Sequence, residues 1–255
     1  MRWAVFDELV ARAAQDEAEL RLARAEWGQA TGKVHPEHEL YAERSDAFLE
    51  WFVLERRAPA PGDGLTFVER ELLRLLREGD LPTAATCRAL RAAHRSLFRV
   101  DEVLTEARSA AASPAPGTAA GPAGTPGTPA GAAREPTGGL YPGELLLEDL
   151  LGGAQFRVAD ARLPFVQAGD LFEARVLPDP EPSGPGAAPR LVLGRAVLFH
   201  PRDAAPAVQD HITRAQRRGE PRTVLLARLL RLRLRALAYR HVKPQRIYSQ
   251  ADALP

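Results

Sequence analysis

The apolar positions of this chain change period twice, and the changes mark its organisation. Over residues 4–30, Phe6, Leu9, Val10, Ala13, Leu20 and Trp27 share one stripe among Asp, Glu and Arg, which predicts a single helix ended by Gly32. Lys33 to Tyr41 contains Pro36 and reads as a loop. A second helix is expected from Ser45 or Asp46, either of which can cap free N–H groups. Its Phe48, Leu49, Trp51, Phe52 and Leu54 form the densest aromatic patch of the chain and read as a core anchor. Ala58 to Gly64 breaks that helix. Thr66 and Glu69 then have the spacing of a capping box and open a third helix to about Arg77, with Phe67, Val68, Leu72, Leu73 and Leu76 inward. After Gly79, Asp80 or Thr83 starts a fourth helix through Ala93, burying Cys87 and Leu90.

From residue 96 the helical period is lost. Ser96 to Leu104 is rich in β-branched and aromatic residues and reads as a strand. Further strand text follows at Glu144 to Asp149, Gln155 to Ala159, Leu171 to Leu177 and Arg190 to Phe199. Turn signals separate these stretches at Gly152-Gly153 and Ala168-Gly169-Asp170, and Gly194 marks a bulge. Short strands joined by tight turns predict a small antiparallel sheet or barrel.

Between the first two strands lies Ser109 to Gly139, made almost wholly of Ala, Pro, Gly, Thr and Ser. Such a run cannot bury enough surface to offset its ordering entropy, and its prolines keep it from becoming a helix. It reads as disordered. A strand at 96–104 standing alone beside helices would be unstable, whereas pairing it with 144–149 completes both. Lengthening a loop costs only about 0.6 kcal/mol per doubling. The run is therefore expected to be an insertion within one β unit, and a second flexible loop is expected at about 178–189.

Helical period returns after Pro201. Ala205 to Arg218 is one expected helix, with Val208, Ile212 and Ala215 inward, and Arg222 to about Arg240 is another. In the latter, Leu226, Leu230, Leu234 and Leu237 cluster on one side and need a partner, while Arg228, Arg231 and Arg235 cluster on a different side. The fold class expected is α+β. Its parts are a helical unit over 1–95, a small β unit over 96–200 with the insertion at about 109–139, and a basic helical pair over 201–248.

Charge and composition sharpen this. The chain has 255 residues, is 45% hydrophobic and 26% charged, and carries a net charge of only +1, so as a whole it is no polyanion binder. From Pro201 onward, however, twelve Lys or Arg stand against four Asp or Glu, so residues 1–200 are acidic. A basic end on an acidic body can pack on that body, on a second copy, or on nucleic acid. Arg228, Arg231 and Arg235, with Arg240, Lys243 and Arg246 beyond them, are the candidate contacts for an acidic partner or for phosphates. Tyr239 and Tyr248 extend that surface. Against nucleic acid, the strands lack a basic and aromatic ladder.

Other candidate chemistry is weaker. Cys87 is the only cysteine, which excludes a disulfide framework and a multi-cysteine zinc site, and reads as a buried inert thiol. His35 and His38 lack metalloprotease spacing and read as solvated loop residues, so no metal and no cofactor are expected. Asp149, Asp160 and Asp170 have turn positions that explain them without catalysis. No phosphate-loop glycine pattern and no supported nucleophile–histidine arrangement is present. Asp7 and Glu8 interrupt any N-terminal export signal, and arginines interrupt the leucine-rich stretch after Val224, so a cytoplasmic protein without a membrane span is expected.

The segments from Phe48 to Leu54, Leu97 to Val100, Asp149-Leu150-Leu151-Gly152 and Gly169-Asp170 with Ala174-Arg175-Val176 resemble a pattern in uncharacterised bacterial proteins, some of which end in a SEC-C zinc module. The resemblance spans residues 45–200 at most. It implies a helical front followed by a β unit. With no cysteine after Cys87, the zinc module does not carry over. The function expected is that of a non-catalytic interaction or scaffolding protein with a protein partner or a second copy of itself. Nucleic-acid binding through the basic helix and an unspecified enzyme activity are the alternatives.

Overall fold

Helix α1 (Ala4–Ala13) and helix α2 (Glu17–Thr31) replace the single helix expected over 4–30. The break has a local cause: the Asp16 carboxylate accepts from the Glu19 N–H and starts a new helix there. Residues 3–58, 63–104, 143–159, 163, 165–179 and 190–249 are described in this structure, a computed structural model. At the other end of α2, Arg44 donates to the Thr31 and Gly32 carbonyls at 3.2 and 2.6 Å, closing acceptors that the helix leaves free.

Helix α3 (Tyr41–Leu54) begins earlier than expected, with Ser45 inside it rather than capping it. Helix α4 (Phe67–Glu78) has the capping box read from Thr66 and Glu69, and Gly79 ends it in the left-handed region. Its buried face is Val68, Glu71, Leu72 and Leu75. Leu73 and Leu76 were expected inward and are exposed. The inward stripe is set by Leu72 and Leu75, and the other two leucines lie beside it facing water. Helix α5 (Leu81–Arg91) is capped by Asp80 and buries Cys87 and Leu90.

The five strands are β1 (His94–Leu104), β2 (Glu144–Asp149), β3 (Gln155–Ala159), β4 (Leu171–Pro178) and β5 (Leu191–His200). They close into a barrel in the order β1-β2-β3-β5-β4. The sheet is mixed rather than wholly antiparallel, because β3 and β5 run parallel. Five strands closed in this order form a Greek-key barrel of the OB type. Strand β1 pairs with β2, Phe98 opposite Asp149 and Leu104 opposite Glu144, so the long Pro/Gly/Ala run does connect two paired strands of one β unit. The run itself, and most of the expected loop at 178–189, lie outside the described residues. These two stretches are the β1–β2 and β4–β5 connections.

Strand β4 is buried along nearly its whole length. Phe172, Ala174 and Val176 fill the barrel with Phe98, Leu147 and Leu193, while Leu177 joins the core of helices α1–α5. Each large apolar side chain so buried contributes about 1.5–3 kcal/mol. Val192, Ala196 and Leu198 of β5 sit in that same helical core, so helices and barrel share apolar packing.

A short 3-10 turn leads into helix α6 (Ala205–Arg218), followed by helix α7 (Arg222–Ala238) and helix α8 (Pro244–Ser249). Val208, Ile212 and Ala215 of α6 are buried as the pattern predicts. Helix α7 buries Leu225, Leu226, Leu229, Leu230, Leu232 and Ala236, a wider face than the expected four-leucine stripe. The reason is two neighbours: Leu230 enters the core of helices α1–α5, while Leu226 and Leu229 pack with α6 and α8. Gly32 allows the close approach of α2 to α7, since a Cβ there would lie 2.9 Å from Leu234 Cδ1. Tyr248, expected on a basic surface, is fully buried in α8 and bonded to His200 at 2.8 Å. Among the described residues no helix is long and apolar enough to cross a membrane.

Candidate functional site

Two places concentrate charge against aromatic or buried surface, and they meet at Arg95. The first is a seam between α3 and the barrel. Glu50 projects from α3 onto β5 where the register slips, so that Gly194, Arg195 and Ala196 together oppose Arg175. The bulge frees two backbone N–H groups, and Glu50 accepts from Arg195 N at 2.5 Å and Ala196 N at 3.4 Å. Gly194 is required by this approach, since a Cβ there would stand 2.6 Å from the Glu50 carboxylate. Arg175 bonds Glu50 at 3.1 Å and also Glu55. Arg95 bonds Glu173 at 2.5 Å and Glu55 at 3.2 Å. Burial pushes the Glu50 and Glu173 carboxyls above their usual range despite these arginines. Glu55 is also pushed upward by burial, but Arg175 and Arg95 outweigh that and hold it below.

The second place is a cleft of about 400 Å³ between α2 and α7. Trp27, Ala30 and Thr31 line it from α2, Trp51 from α3, Arg95 from β1, and Thr223, Val224, Ala227, Arg228 and Arg231 from α7. The indoles of Trp27 and Trp51 lie 5.3 Å apart, and Arg95 sits over the Trp27 ring at 5.5 Å. Arg56 fixes this floor from behind. It joins Glu19 and Glu26 of α2 and lies 5.9 Å from the Trp51 ring. Apart from Thr31 and Thr223 the lining is apolar or cationic, with no carboxylate in it.

Of the candidate residues, Arg228 and Arg231 line this cleft, one turn apart. Arg228 pairs with Glu220 from the break between α6 and α7, and Arg231 donates to the Gln29 carbonyl. Arg235 is half-buried further along α7 and does not line the cleft. Arg240 pairs with Glu39 at 2.6 Å, while Lys243 and Arg246 are exposed near α8. The basic residues are thus divided among separate surroundings, and several of their partners are groups of the same chain. Trp27, Trp51 and Arg95 were not singled out as site residues from the sequence. The two tryptophans look like core anchors in a helical pattern, and only the approach of α7 turns them into a floor.

OB-type barrels hold oligonucleotides or oligosaccharides on the face of strands 2 and 3 and the adjoining loops, which in this barrel is part of the outer face of β1–β2–β3. Here it carries Glu102, Glu144 and Glu148 with Asp101 beside them, against Arg99 and Arg157. Arg99 is paired with Glu148, and Arg157 with Glu144. An excess of carboxylates on this face repels phosphate.

A third cluster gathers around Asp149. Its carboxylate accepts from His94 Nε2 at 2.8 Å, from Leu151 N at 2.9 Å and from the Ser96 hydroxyl, while Arg222 reaches the Arg95 carbonyl at 3.1 Å beside the His94 ring. Burial opposes the Asp149 charge, but these hydrogen bonds prevail and lower its pKa. Serine and histidine both bond the aspartate, not each other, so the trio lacks the serine-to-base contact of a nucleophilic relay. Asp149 builds the β2–β3 turn, and Asp170 likewise accepts from Gln167 N at 2.8 Å; Asp160 lies outside the described residues. Cys87 is buried, which pushes its thiol up to about 11. His38 bonds the Leu40 N–H within its loop. Among the described residues no group of three metal-ligating side chains comes together. No protein-family model matches the chain, and no curated protein or solved structure is significantly similar to it.

Proposed function

We propose that this is a non-catalytic protein-interaction protein whose partner docks in the cleft between α2 and α7. The observation that carries the reading is the cleft's lining: two indoles and three guanidiniums with no carboxylate among them. Tryptophan and arginine are the residue types that most often dominate binding energy at protein interfaces, particularly where a pocket holds them rigid. The barrel supports this role by bracing α3 through Glu50, which fixes Trp51. The one thiol, buried, fits a reducing, cytoplasmic setting. Nucleic acid is disfavoured by the acidic outer face of β1–β2–β3 and by the shortness of the basic track, since Arg228 and Arg231 line the cleft while Arg235 does not and Arg240 pairs with Glu39.

Affinity capture from nuclease-treated native lysate, run with the wild-type chain and with Ala227→Trp, tests the reading. Ala227 lines the cleft, and a tryptophan there fills it. A protein recovered by the wild type and lost from a variant of unchanged melting temperature is expected. Identical protein sets from both chains, or recovery that disappears with nuclease, would overturn it.

A further inference from the structure

We infer that the cleft binds an acidic segment of a protein partner, with one apolar or aromatic side chain seated against Trp51, and that Glu220 occupies the place of the segment's carboxylate in the free protein. This rests on the reading of the cleft as a docking site and names what it recognises.

The three cations at the cleft are held unequally. Arg95 is almost wholly buried and already held by two carboxylates, Glu173 and Glu55, so it contributes chiefly field to the floor. Arg228 meets Glu220, yet Glu220 Oε2 is buried without a hydrogen-bond partner. A guanidinium binds a carboxylate best through two parallel bonds, and a buried carboxylate oxygen left unpaired is costly. The Arg228–Glu220 contact is therefore an incomplete pair at the edge of an apolar cleft. A partner carboxylate that takes Arg228 releases Glu220 to turn toward water. Arg231 donates to a neutral acceptor, the Gln29 carbonyl, which a carboxylate replaces with a stronger, charge-assisted bond.

The apolar part of the occupant follows from Trp51, Ala30, Val224 and Ala227. Val224 is 48% exposed, so about half of this apolar residue faces water in the free chain. The volume suits a large side chain and a short stretch of backbone, not a folded element. A nucleic-acid strand needs a basic track along its backbone. Here the track ends after two arginines, because Arg235 does not line the cleft and Arg240 is paired with Glu39.

Tryptophan fluorescence titrations test the inference, using a synthetic peptide of glutamates flanking one phenylalanine, the same peptide with lysines, and an oligothymidylate. The glutamate peptide is expected to bind the wild type in a salt-sensitive manner and to bind Glu220→Gln about threefold more tightly, the size of losing one surface ion-pair competitor. Arg228→Gln is expected to weaken it, and the lysine peptide not to bind. Equal binding of the two peptides, an unchanged or weaker affinity in Glu220→Gln, or tighter binding of the oligothymidylate overturns the inference. Should Glu220→Gln fail to fold, the salt dependence of the wild type decides: binding of the glutamate peptide that ignores salt overturns the inference, and binding that weakens with salt supports it. A captured partner that depends on the cleft would still support the docking reading if this inference failed. Binding of the peptide without any such partner would do the reverse.

Discussion

The seam and the cleft share Arg95 and both gather arginines, yet they are built to opposite ends. In the seam Arg175 and Arg95 meet carboxylates that are themselves mostly buried, and Glu50 also spends an oxygen on two backbone N–H groups of the β5 bulge. In the cleft Arg228 meets a single carboxylate and Arg231 a carbonyl, each arginine with one partner group where Arg175 and Arg95 have two. An oxygen without a hydrogen bond occurs on both sides, at Glu173 and at Glu220. A satisfied arginine holds two layers together, whereas an under-satisfied one beside exposed apolar surface is free to hold something else. Charge count along the chain does not separate the two cases. The partners do.

The largest expected effect lies in the seam. Arg175→Ala would leave Glu50 buried and without its guanidinium, and breaking a buried pair from one side costs about 3–5 kcal/mol. Denaturant unfolding of the two chains measures this. Glu50→Gln, which keeps an acceptor for the bulge N–H groups, is expected to cost less. A loss below about 1 kcal/mol for Arg175→Ala would mean that water reaches the seam, and the contrast with the cleft would collapse.

Helix existence and strand existence were legible because local signals are strong: the Thr66–Glu69 capping box, the stop at Gly79, the turn at Gly152-Gly153 and the bulge at Gly194 all reappear. The placing of the low-complexity run within one β unit was also readable, since the strand at 96–104 needed a partner and β2 supplies it. Facing was harder. Leu73 and Leu76 fit a helical stripe as well as Leu72 and Leu75 do, and only the packing of α4 on α5, α3 and α1 decides between them. Helix α7 buries two faces because it has two neighbours, which a single-stripe reading of Leu226, Leu230, Leu234 and Leu237 misses. The seam was invisible. Glu50, Glu173 and Arg175 look like solvated charges until β4 is enclosed, and Arg175 and Glu50 stand 125 positions apart. The cleft was half visible, through Arg228 and Arg231, but its tryptophan floor belongs to helices far away in sequence.

A buried ionisable group with no charge partner sharpens the comparison from another side. His200 is enclosed by α8, accepts the Tyr248 hydroxyl at 2.8 Å, and is held by burial at a pKa of about 3 instead of 6.5, with Arg233 adding to the effect. Its folded pKa is depressed, so the unfolded chain takes up the proton first. The stability it contributes is present above about pH 6.5 and is lost as pH falls toward about 3. The slope is about 1.4 kcal/mol per pH unit, or about 2 kcal/mol between pH 6.5 and 5. Unfolding free energies measured over that interval should fall in the wild type and stay flatter in His200→Phe. Equal slopes in the two chains would show that the imidazole is already charged in the fold, and that burial alone does not enforce neutrality there.

The smallest expected effect is on the cleft side, where its smallness is the point. Arg228→Gln breaks an ion pair less buried than the seam's, with Arg228 27% and Glu220 14% exposed against 4% and 3% for Arg175 and Glu50, so it is expected to cost less than Arg175→Ala. Freed of Arg228, the Glu220 carboxylate can rotate toward solvent, because it stands at the break between α6 and α7 and not under a strand. The melting temperature is therefore expected to move little, while the affinity for an acidic, phenylalanine-bearing peptide falls. That split between stability and binding is what a docking arginine should give and a seam arginine should not. If Arg228→Gln instead destabilised the chain as much as Arg175→Ala, Arg228 would belong with the structural arginines, and the difference drawn between seam and cleft would be one of position only.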